Sequence, residues 1–168
     1  TPRIETNRTV SIPSAFKECE KNGRFDNFAI AGGLMKGEHR GDFSFDDTDP
    51  YKIIEGASYS LAVKYDKALD AYLDSVITLI ATAQEPDGYL TTCVTNKCYR
   101  LSGWWGKSRW EKINSHELYN SGHLYEAALM WLSRMPTWYV RSLVRMKDRS
   151  MFLPGILSLK WPLLSYIR

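Results

Sequence analysis

Two histidines in the segment "NSHELYNSGHLYEAA" (residues 114–128) are the side chains whose types and spacing could do chemistry. His116 and His123 are seven residues apart, so on a helix they share one face but lie about 10 Å apart along its axis. At that separation they cannot bind one metal ion. A zincin motif would place its second histidine at position 120, where the chain has Asn120. The histidine and glutamate pair therefore does not predict a metalloprotease.

Two roles stay open for His116. It falls in the first turn of a predicted helix, where unpaired N–H groups and a partial positive field favour a ligand, and the aromatic loop "GWWGKSRW" precedes it. A rim of this kind suits a polyhydroxylated substrate. The alternative is a packed histidine with satisfied hydrogen bonds, which residue chemistry alone favours for both histidines. For His123, the neighbouring Ser121 and Gly122 indicate close helix packing, so we expect a structural role.

The three cysteines of the chain, Cys19, Cys93 and Cys98, are an odd number and too few for a disulfide framework. Cys93 and Cys98 are separated by four residues, and no second cysteine pair completes a zinc-site pattern. We therefore expect three free thiols and no metal ligand in this chain.

The elements that must position these groups are predicted to be helices. Asp49 and Pro50 have the types of an N-cap and a first helical residue, and Asp66 begins a second helix after a short turn. Each helix carries an apolar stripe at helical spacing. The first stripe consists of Ile53, Ile54, Ala57, Leu61 and Ala62, and the second of Leu69, Leu73, Val76, Ile77, Ile80 and Ala83. Two such helices form an αα-hairpin, the unit of helical bundles and barrels.

Loops and caps complete the predicted architecture. Glycines interrupt the periodicity of the first fifty residues, so we expect loops there. Pro86 and the Asp87-Gly88 pair end the second helix of the hairpin in a turn. Asn114 as N-cap, with Glu117 three residues later, predicts the start of the histidine helix. Regular strand alternation is scarce, so the predicted fold class is all-α.

Length and composition set the broad class. With 44% hydrophobic and 13% aromatic residues, a chain of 168 residues can bury one core, which predicts one domain or a piece of a larger one. Residues 1–128 hold 15 Lys and Arg against 18 Asp and Glu, whereas residues 129–168 hold 7 basic residues and one acidic residue, Asp148. No apolar run approaches the roughly 18 residues of a membrane span. The basic residues lack an interleaved aromatic platform, so we expect no nucleic-acid partner.

Four segments together resemble one enzyme family: "NFAIAGGLMKGEHRGDFSFDDTDPY", "YKIIEGASYSLA", "LIATAQEPDGYLTT" and "HELYNSGHLYEAA". In this combination and order, from about Phe25 to Ala128, the chain resembles the amino-terminal part of glycoside hydrolase family 127, the β-L-arabinofuranosidase-like enzymes. The resemblance implies helical hairpins that form part of an (α/α)6 barrel. It also implies retaining hydrolysis of terminal arabinofuranosides, with a zinc-held cysteine thiolate as nucleophile and a glutamate as acid/base.

The same resemblance assigns few residues of this chain to the site. The zinc-ligand and nucleophile motifs of the family lie downstream, and none of the three cysteines matches them, so zinc is expected for a full-length enzyme and no catalytic residue or metal ligand for this chain. The histidine of the HELY motif, which contacts the sugar in the family, falls on His116. Asp87 and Tyr89 are the further candidates, at the rim of the cleft. The implied partner is a glycan containing arabinofuranosides, and the implied location is periplasmic or secreted.

The sequence changes character where the resemblance ends. Read one base out of register, the codons for Trp161 and Pro162 must give alanine, and those for residues 154–168 permit the PGH-x-E-x-E-x-AL-x-KLY segment that the family carries at about this distance. We therefore predict a partial catalytic domain over residues 1–128 and an aberrant, frameshifted basic tail over residues 129–168. Such a chain should be inactive alone.

Two other classes of function fit parts of the sequence. The tail holds three of the six tryptophans and four of the five methionines, a composition that suits an anionic membrane surface or a protein partner. However, Pro154, Gly155 and Pro162 interrupt any long amphipathic helix there. A carbohydrate-binding module that stacks sugars on Trp104, Trp105 and Trp110 is the third interpretation. Aromatic residues in a glycine-rich loop also suit a packed core.

Overall fold

The computed structural model describes residues 1–100 and 105–134. This part of the chain is helical and has no β-strand, which confirms the all-α prediction. Its helices are α1 (Pro2–Thr6), a π-helical turn (Asn7–Ser11), α2 (Ile12–Lys21), α3 (Arg24–Ala31), α4 (Thr48–Val63), α5 (Lys67–Thr82), α6 (Thr92–Thr95), two 3-10 turns (Cys98–Arg100 and Ile113–Ser115) and α7 (Glu117–Ser133). No helix within the described ranges combines the length and apolarity that crossing a bilayer requires.

The amino-terminal region is mostly helical, so the prediction of a loop-rich start is wrong. Ile12, Phe16 and Cys19 follow one another at helical spacing and bury one face of α2. Gly23 adopts a left-handed conformation with φ of 72° and separates α2 from α3, and Gly32 follows the end of α3. Both glycines therefore mark helix ends, and the left-handed conformation of Gly23 ends α2 and allows α3 to begin. The irregular segment is confined to the connection between α3 and α4.

The predicted hairpin is present as α4 and α5, joined by residues 64–66. The Asp66 carboxylate caps α5, since its Oδ1 accepts hydrogen bonds from the backbone N–H groups of Ala68 (3.0 Å) and Leu69 (3.1 Å). This start was predicted. The predicted start of α4 is two residues too late, because Asp47 rather than Asp49 occupies the N-cap position.

The core lies between two helix pairs, because α4 packs mainly against α7 and α5 mainly against α3. Tyr51, Phe28 and Leu73 are fully buried at its centre. The stripe predicted for α5 is confirmed, apart from Leu69, which is half-buried. The stripe predicted for α4 is narrower than expected, because Ala62 is exposed. Hairpin neighbours along the chain are therefore not the closest partners in space.

The start of α7 differs from the prediction. Asn114 does not cap the helix, because its backbone carbonyl accepts a hydrogen bond from Ser44 Oγ at 3.2 Å and the chain continues through a 3-10 turn. His116 then adopts a left-handed backbone conformation with φ of 54° and occupies the N-cap position itself. The helix begins at Glu117, and His116 lies immediately before its first turn.

The carboxyl end of α7 contributes to the same core. Trp131 and Leu132 are buried in it, and the guanidinium of Arg134 pairs with the carboxylate of Asp70 on α5 at 2.5 Å. Residues 135–168 lie outside the described residues, and with them most of the predicted tail. The domain boundary at residue 128 stays a prediction.

Two of the three cysteines are paired, so the prediction of three free thiols is wrong. Cys93 in α6 and Cys98 form a disulfide with their Cα atoms 4.8 Å apart. Lys97, with φ of 59°, turns the chain back after α6 and brings Cys98 towards Cys93. Cys19 is free and buried, and burial raises the pKa of its thiol to about 12.

Candidate functional site

A buried carboxylate at the start of α7 holds two loops in place. Glu117 is 4% exposed. Its Oε2 accepts a hydrogen bond from the hydroxyl of Tyr89 at 2.5 Å, and its Oε1 accepts one from the backbone N–H of Trp110 at 2.8 Å. The first position of a helix favours a negative charge, because the unpaired N–H groups carry partial positive charge. Glu117 thereby fixes Tyr89 and Trp110 beside the amino end of α7.

Tyr89 is presented by the turn that was predicted from the Asp87-Gly88 pair. The backbone N–H of Glu85 donates to the carbonyl of Tyr89 at 2.9 Å, and that of Gly88 donates to Glu85 at 2.8 Å. Gly88 has φ of 91°, which side chains rarely tolerate. The Asp87 carboxylate accepts from the backbone N–H of Tyr89 at 3.1 Å. The turn therefore projects Asp87 and Tyr89 from adjacent, fixed positions.

Arg109 lies over this turn. Its guanidinium forms ion pairs with both Glu85 and Asp87, and its Cζ lies 4.1 Å from the centroid of the Tyr89 ring. The hydrogen bond from Arg109 lowers the pKa of Asp87, which is therefore ionised at neutral pH. Burial and the hydrogen bond to Glu117 raise the pKa of Tyr89, which therefore stays a phenol. The turn thus offers a carboxylate, a guanidinium and an aromatic ring within one small region.

These groups line a cavity of about 310 Å³. The Trp110 ring is 57% exposed and meets the Tyr89 ring edge to face, with the centroids 5.6 Å apart. The residues around the cavity come from the turn, the 105–112 loop and one side of α7, and they are Asp87, Gly88, Tyr89, Leu90, Arg109, Trp110, Ser121, Leu124 and Tyr125. Aromatic rings beside charged hydrogen-bonding groups suit a sugar, because its C–H faces stack and its hydroxyls donate and accept.

His116 does not line this cavity. Its ring packs on Phe45, with the centroids 4.9 Å apart, and on Tyr119 at 6.1 Å. Its Nδ1 lies 2.5 Å from the backbone carbonyl of Asn114. A carbonyl can only accept, so Nδ1 is the donor in this hydrogen bond. Asp87 and Tyr89 thus meet in one cavity, while His116 lies on a neighbouring surface and is joined to the cavity through Glu117.

That neighbouring surface is an aromatic strip of Phe43, Phe45, His116, Tyr119 and His123. Phe43 and Phe45 have ring centroids 5.0 Å apart, and those of Tyr119 and His123 are 4.6 Å apart. The Nδ1 atom of His123 also lies 3.1 Å from the carboxylate of Glu126, one turn along α7. These contacts give His123 a packing role.

Sequence reasoning missed Arg109, Glu85 and Glu117 as parts of this arrangement. The signal for the ion pairs was present, because Glu85 and Asp87 flank a predicted turn and Arg109 is one of two basic residues in the tryptophan loop. Nothing in the spacing indicated that Glu117 would accept from Tyr89, since 28 residues separate them. Of the tryptophans considered for sugar stacking, Trp110 lines the cavity, and Trp104 lies outside the described residues.

An acidic segment before α4 has a structural role. The Asp47 carboxylate is buried and accepts hydrogen bonds from the backbone N–H (2.8 Å) and the hydroxyl (2.5 Å) of Thr92 in α6. Burial raises the pKa of Asp47 to about 6. Asp46 forms an ion pair with Arg24 of α3 at 3.0 Å, and burial raises its pKa to about 6 as well. The segment therefore ties the start of α4 to α3 and α6.

Within the described ranges, one group of side chains could hold a metal ion. It consists of His39, Cys93 and Cys98, which are all buried. Burial, assisted by the nearby Arg24, lowers the pKa of His39 to about 4, so its imidazole is neutral at neutral pH. Cys19 is not part of this group.

Comparison with protein families places the chain in context. Residues 1–132 match a family model described as "Beta-L-arabinofuranosidase, GH127 catalytic domain". A non-reducing end β-L-arabinofuranosidase of Bifidobacterium longum subsp. longum is 41% identical over 107 residues, which cover 62% of this chain and 16% of that protein.

Two solved structures show the same likeness in three dimensions. A GH127 β-arabinofuranosidase is 43% identical with a TM-score of 0.74, and the match covers 87% of this chain and 24% of that one. A GH127 β-L-arabinofuranosidase from Geobacillus stearothermophilus T6 is 32% identical with a TM-score of 0.71, over 87% of this chain and 23% of that one. The chain thus spans a quarter or less of the length of these relatives. The helical hairpins agree with a fragment of an (α/α)6-type fold.

Proposed function

Because the chain belongs to glycoside hydrolase family 127, we propose that its described residues form part of the sugar-binding wall of a β-L-arabinofuranosidase-like catalytic domain. The observation that carries the proposal is the family match over residues 1–132, a range that includes the turn, the residues around the cavity and nearly all of α7. The substrate class of the family is carbohydrate. Arabinofuranose as the particular sugar is proposed from the names of the relatives.

Asp87 and Tyr89 are proposed to bind the sugar from the cavity. The paired carboxylate of Asp87 and guanidinium of Arg109 present acceptors and donors side by side, an arrangement that matches neighbouring hydroxyls of a furanose. Tyr89 is held by Glu117 and faces the exposed ring of Trp110, so apolar and polar contacts meet at the cavity mouth. The half-exposed ion pairs of Arg109 with Glu85 and Asp87 are proposed to make sugar binding specific, because they form directional hydrogen bonds with the hydroxyls.

His116 is proposed to bind a hydroxyl of the same substrate from the adjoining aromatic strip. Its Nδ1 proton is held by the carbonyl of Asn114, which leaves Nε2 to accept a hydrogen bond. Packing between Phe45 and Tyr119 fixes the ring plane. A ligand spanning from the cavity to this strip would pass the first turn of α7, where the backbone N–H groups are oriented outwards.

Hydrolysis is proposed to need residues that the described part of the chain does not provide. The family mechanism implied by the sequence requires a zinc-held thiolate, but burial keeps the Cys19 thiol protonated, and Cys93 and Cys98 are joined to each other. In the disulfide-bonded chain, no cysteine among the described residues therefore fits the role of nucleophile. We propose that the chain alone binds sugar without cleaving it.

A ligand titration tests the proposed binding surface. Methyl β-L-arabinofuranoside is added to the purified chain, and binding is followed by saturation-transfer NMR. We expect binding to weaken in Asp87→Asn and in His116→Ala, since each loses a polar contact to the sugar. Glu126→Ala, an exposed change on the same helix outside the cavity and the aromatic strip, is the matched control and should bind like the parent chain. Circular dichroism verifies that each variant is folded.

Two results would count against the proposal. One is equal binding by the parent chain and both site variants. The other is a loss of binding in Glu126→Ala as large as in His116→Ala, because that would indicate a general effect of disturbing α7.

A further inference from the structure

Three side chains that are far apart in the sequence meet in the interior of the described region. One ring nitrogen of His39 and the sulfurs of Cys93 and Cys98 lie within 4.8 Å of one another. We propose that, once the Cys93–Cys98 disulfide is reduced, these three residues bind a single zinc ion. The site is argued from these contacts alone and does not depend on the sugar-binding proposal.

One residue of α3 holds both segments that carry the proposed ligands. The side-chain amide of Asn27 donates to the carbonyl of Arg40 and accepts from its backbone N–H, each at 2.8 Å, which fixes the chain next to His39. The backbone carbonyl of Asn27 accepts from the side chain of Asn96, which lies between the two cysteines, also at 2.8 Å. The hydrogen bonds of Asn27 therefore hold the segment next to His39 close to the segment with the two cysteines. The fold itself brings the three proposed ligands together.

The imidazole of His39 lacks a partner where one is needed. His39 is 5% exposed, yet neither ring nitrogen has a hydrogen-bond partner among the described residues. A buried polar group without a partner destabilises the folded state, so most such groups in native proteins have one. The sulfurs of Cys93 and Cys98 lie within 4.8 Å of one nitrogen of this ring. A metal ion between them would satisfy the ring nitrogen that faces the sulfurs.

The chemistry of the three ligand atoms indicates which metal ion the site would bind. Two thiolates and one imidazole are soft to borderline ligands, which favour zinc, whereas magnesium and calcium prefer oxygen. Four residues separate the cysteines, as in many zinc-binding pairs, and a histidine from a distant loop supplies the third ligand. Zinc is usually four-coordinate, so a water molecule would take the remaining position.

The disulfide and the metal exclude each other, because both use the same two sulfurs. A phosphine reductant breaks the S–S bond: the phosphine is oxidised to its oxide with an oxygen atom from water, and the two sulfurs each take up one proton. Zinc then displaces the two thiol protons and forms two Zn–S bonds. The site is therefore available only in the reduced chain.

Cobalt substitution provides the test. The full chain is reduced with a phosphine under nitrogen and titrated with Co²⁺, whose thiolate complexes absorb in the near ultraviolet by charge transfer. We expect one Co²⁺ per chain and displacement of the band by one equivalent of Zn²⁺. The unreduced chain should give no band. Cys93→Ser and Cys98→Ser should weaken or abolish the charge-transfer band, and His39→Ala should lower the affinity for Co²⁺ by at least about tenfold.

Cys19→Ser is the matched control, because Cys19 is buried and lies outside the cluster, and it should keep the full band. A second measurement needs no variant: Zn²⁺ should protect Cys93 and Cys98 of the reduced chain from alkylation, as read by mass spectrometry. The proposal is overturned if the reduced chain gives no band and no protection, or if the band depends on Cys19 and not on the cysteine pair. An unchanged affinity in folded His39→Ala would remove His39 from the site.

Discussion

At the scale of single residues, Glu117 joins two loops beside the candidate site. Its two oxygens accept from Tyr89 and from the backbone of Trp110, and glutamine can replace only one of these acceptors. We expect Glu117→Gln to lower the free energy of unfolding by about 1.5–3 kcal/mol, measured by urea denaturation. Glu126→Gln changes an exposed residue of the same helix and should stay within about 0.5 kcal/mol of the parent. Equal effects of the two changes would contradict this role for Glu117.

The buried carboxylate of Asp47 predicts a pH dependence of stability. Its pKa is about 6 in the folded chain and 3.8 for an ordinary aspartate, so the folded state binds the proton more tightly. The stabilisation is fully present below pH 3.8 and is lost as the pH rises through 6. The wild type should therefore gain on the order of 2–3 kcal/mol relative to Asp47→Asn when the pH falls through this window.

Urea denaturation of both chains across that pH range measures the difference. Other groups titrate there too, and His39 acts in the opposite direction because its pKa is lowered. Subtracting the Asp47→Asn curve isolates the contribution of Asp47. If the difference in the free energy of unfolding between the wild type and Asp47→Asn does not vary with pH, Asp47 has the same pKa in the folded and unfolded states.

The sequence allowed some of these residue roles to be predicted. The Asp87-Gly88 pair was predicted as a turn from local chemistry, because such residues favour turns wherever they occur. The disulfide could not be predicted, since it depends on the left-handed backbone at Lys97. The partners of Glu117 also needed the fold, because long-range hydrogen bonds leave no periodic signal in the chain.

At the scale of helices, the Asp66 cap predicts a measurable contribution to α5. Asp66→Ala removes the acceptor for two backbone N–H groups and should lower the free energy of unfolding by about 1 kcal/mol. Lys64→Ala, an exposed change two residues earlier, is the control and should have little effect. Thermal unfolding followed by circular dichroism makes the comparison. No difference between these variants would mean that α5 is fixed by packing alone.

Helix periodicity predicted α4 and α5 well but missed the helices before them. The stripe of Leu73, Val76 and Ile80 is long and regular, so its pattern was clear. In α2 the buried residues are fewer, and glycines between short helices suggested loops. The start of α7 shows a different limit, because Asn114 has the right residue type for a cap but uses its carbonyl to bind Ser44.

At the scale of the whole molecule, we propose that the reading frame shifts near the end of the family match. The match ends at residue 132, and α7 contributes core residues as far as Leu132. Sequencing the encoding DNA is the direct test. We expect the frame displaced by one base to spell the PGH-containing segment of the family across codons 154–168. Any other translation in that frame would refute the frameshift, while leaving the family assignment intact.

The measurement that tests the central claim most directly is arabinose release from a β-L-arabinofuranoside. It compares the purified 168-residue chain with a protein in which the frame is restored into the downstream gene, both supplied with zinc. We expect release by the restored protein alone, because the thiolate nucleophile is proposed to lie beyond this chain. Release by the 168-residue chain itself would contradict the account, since its own cysteines or carboxylates would then have to perform the cleavage.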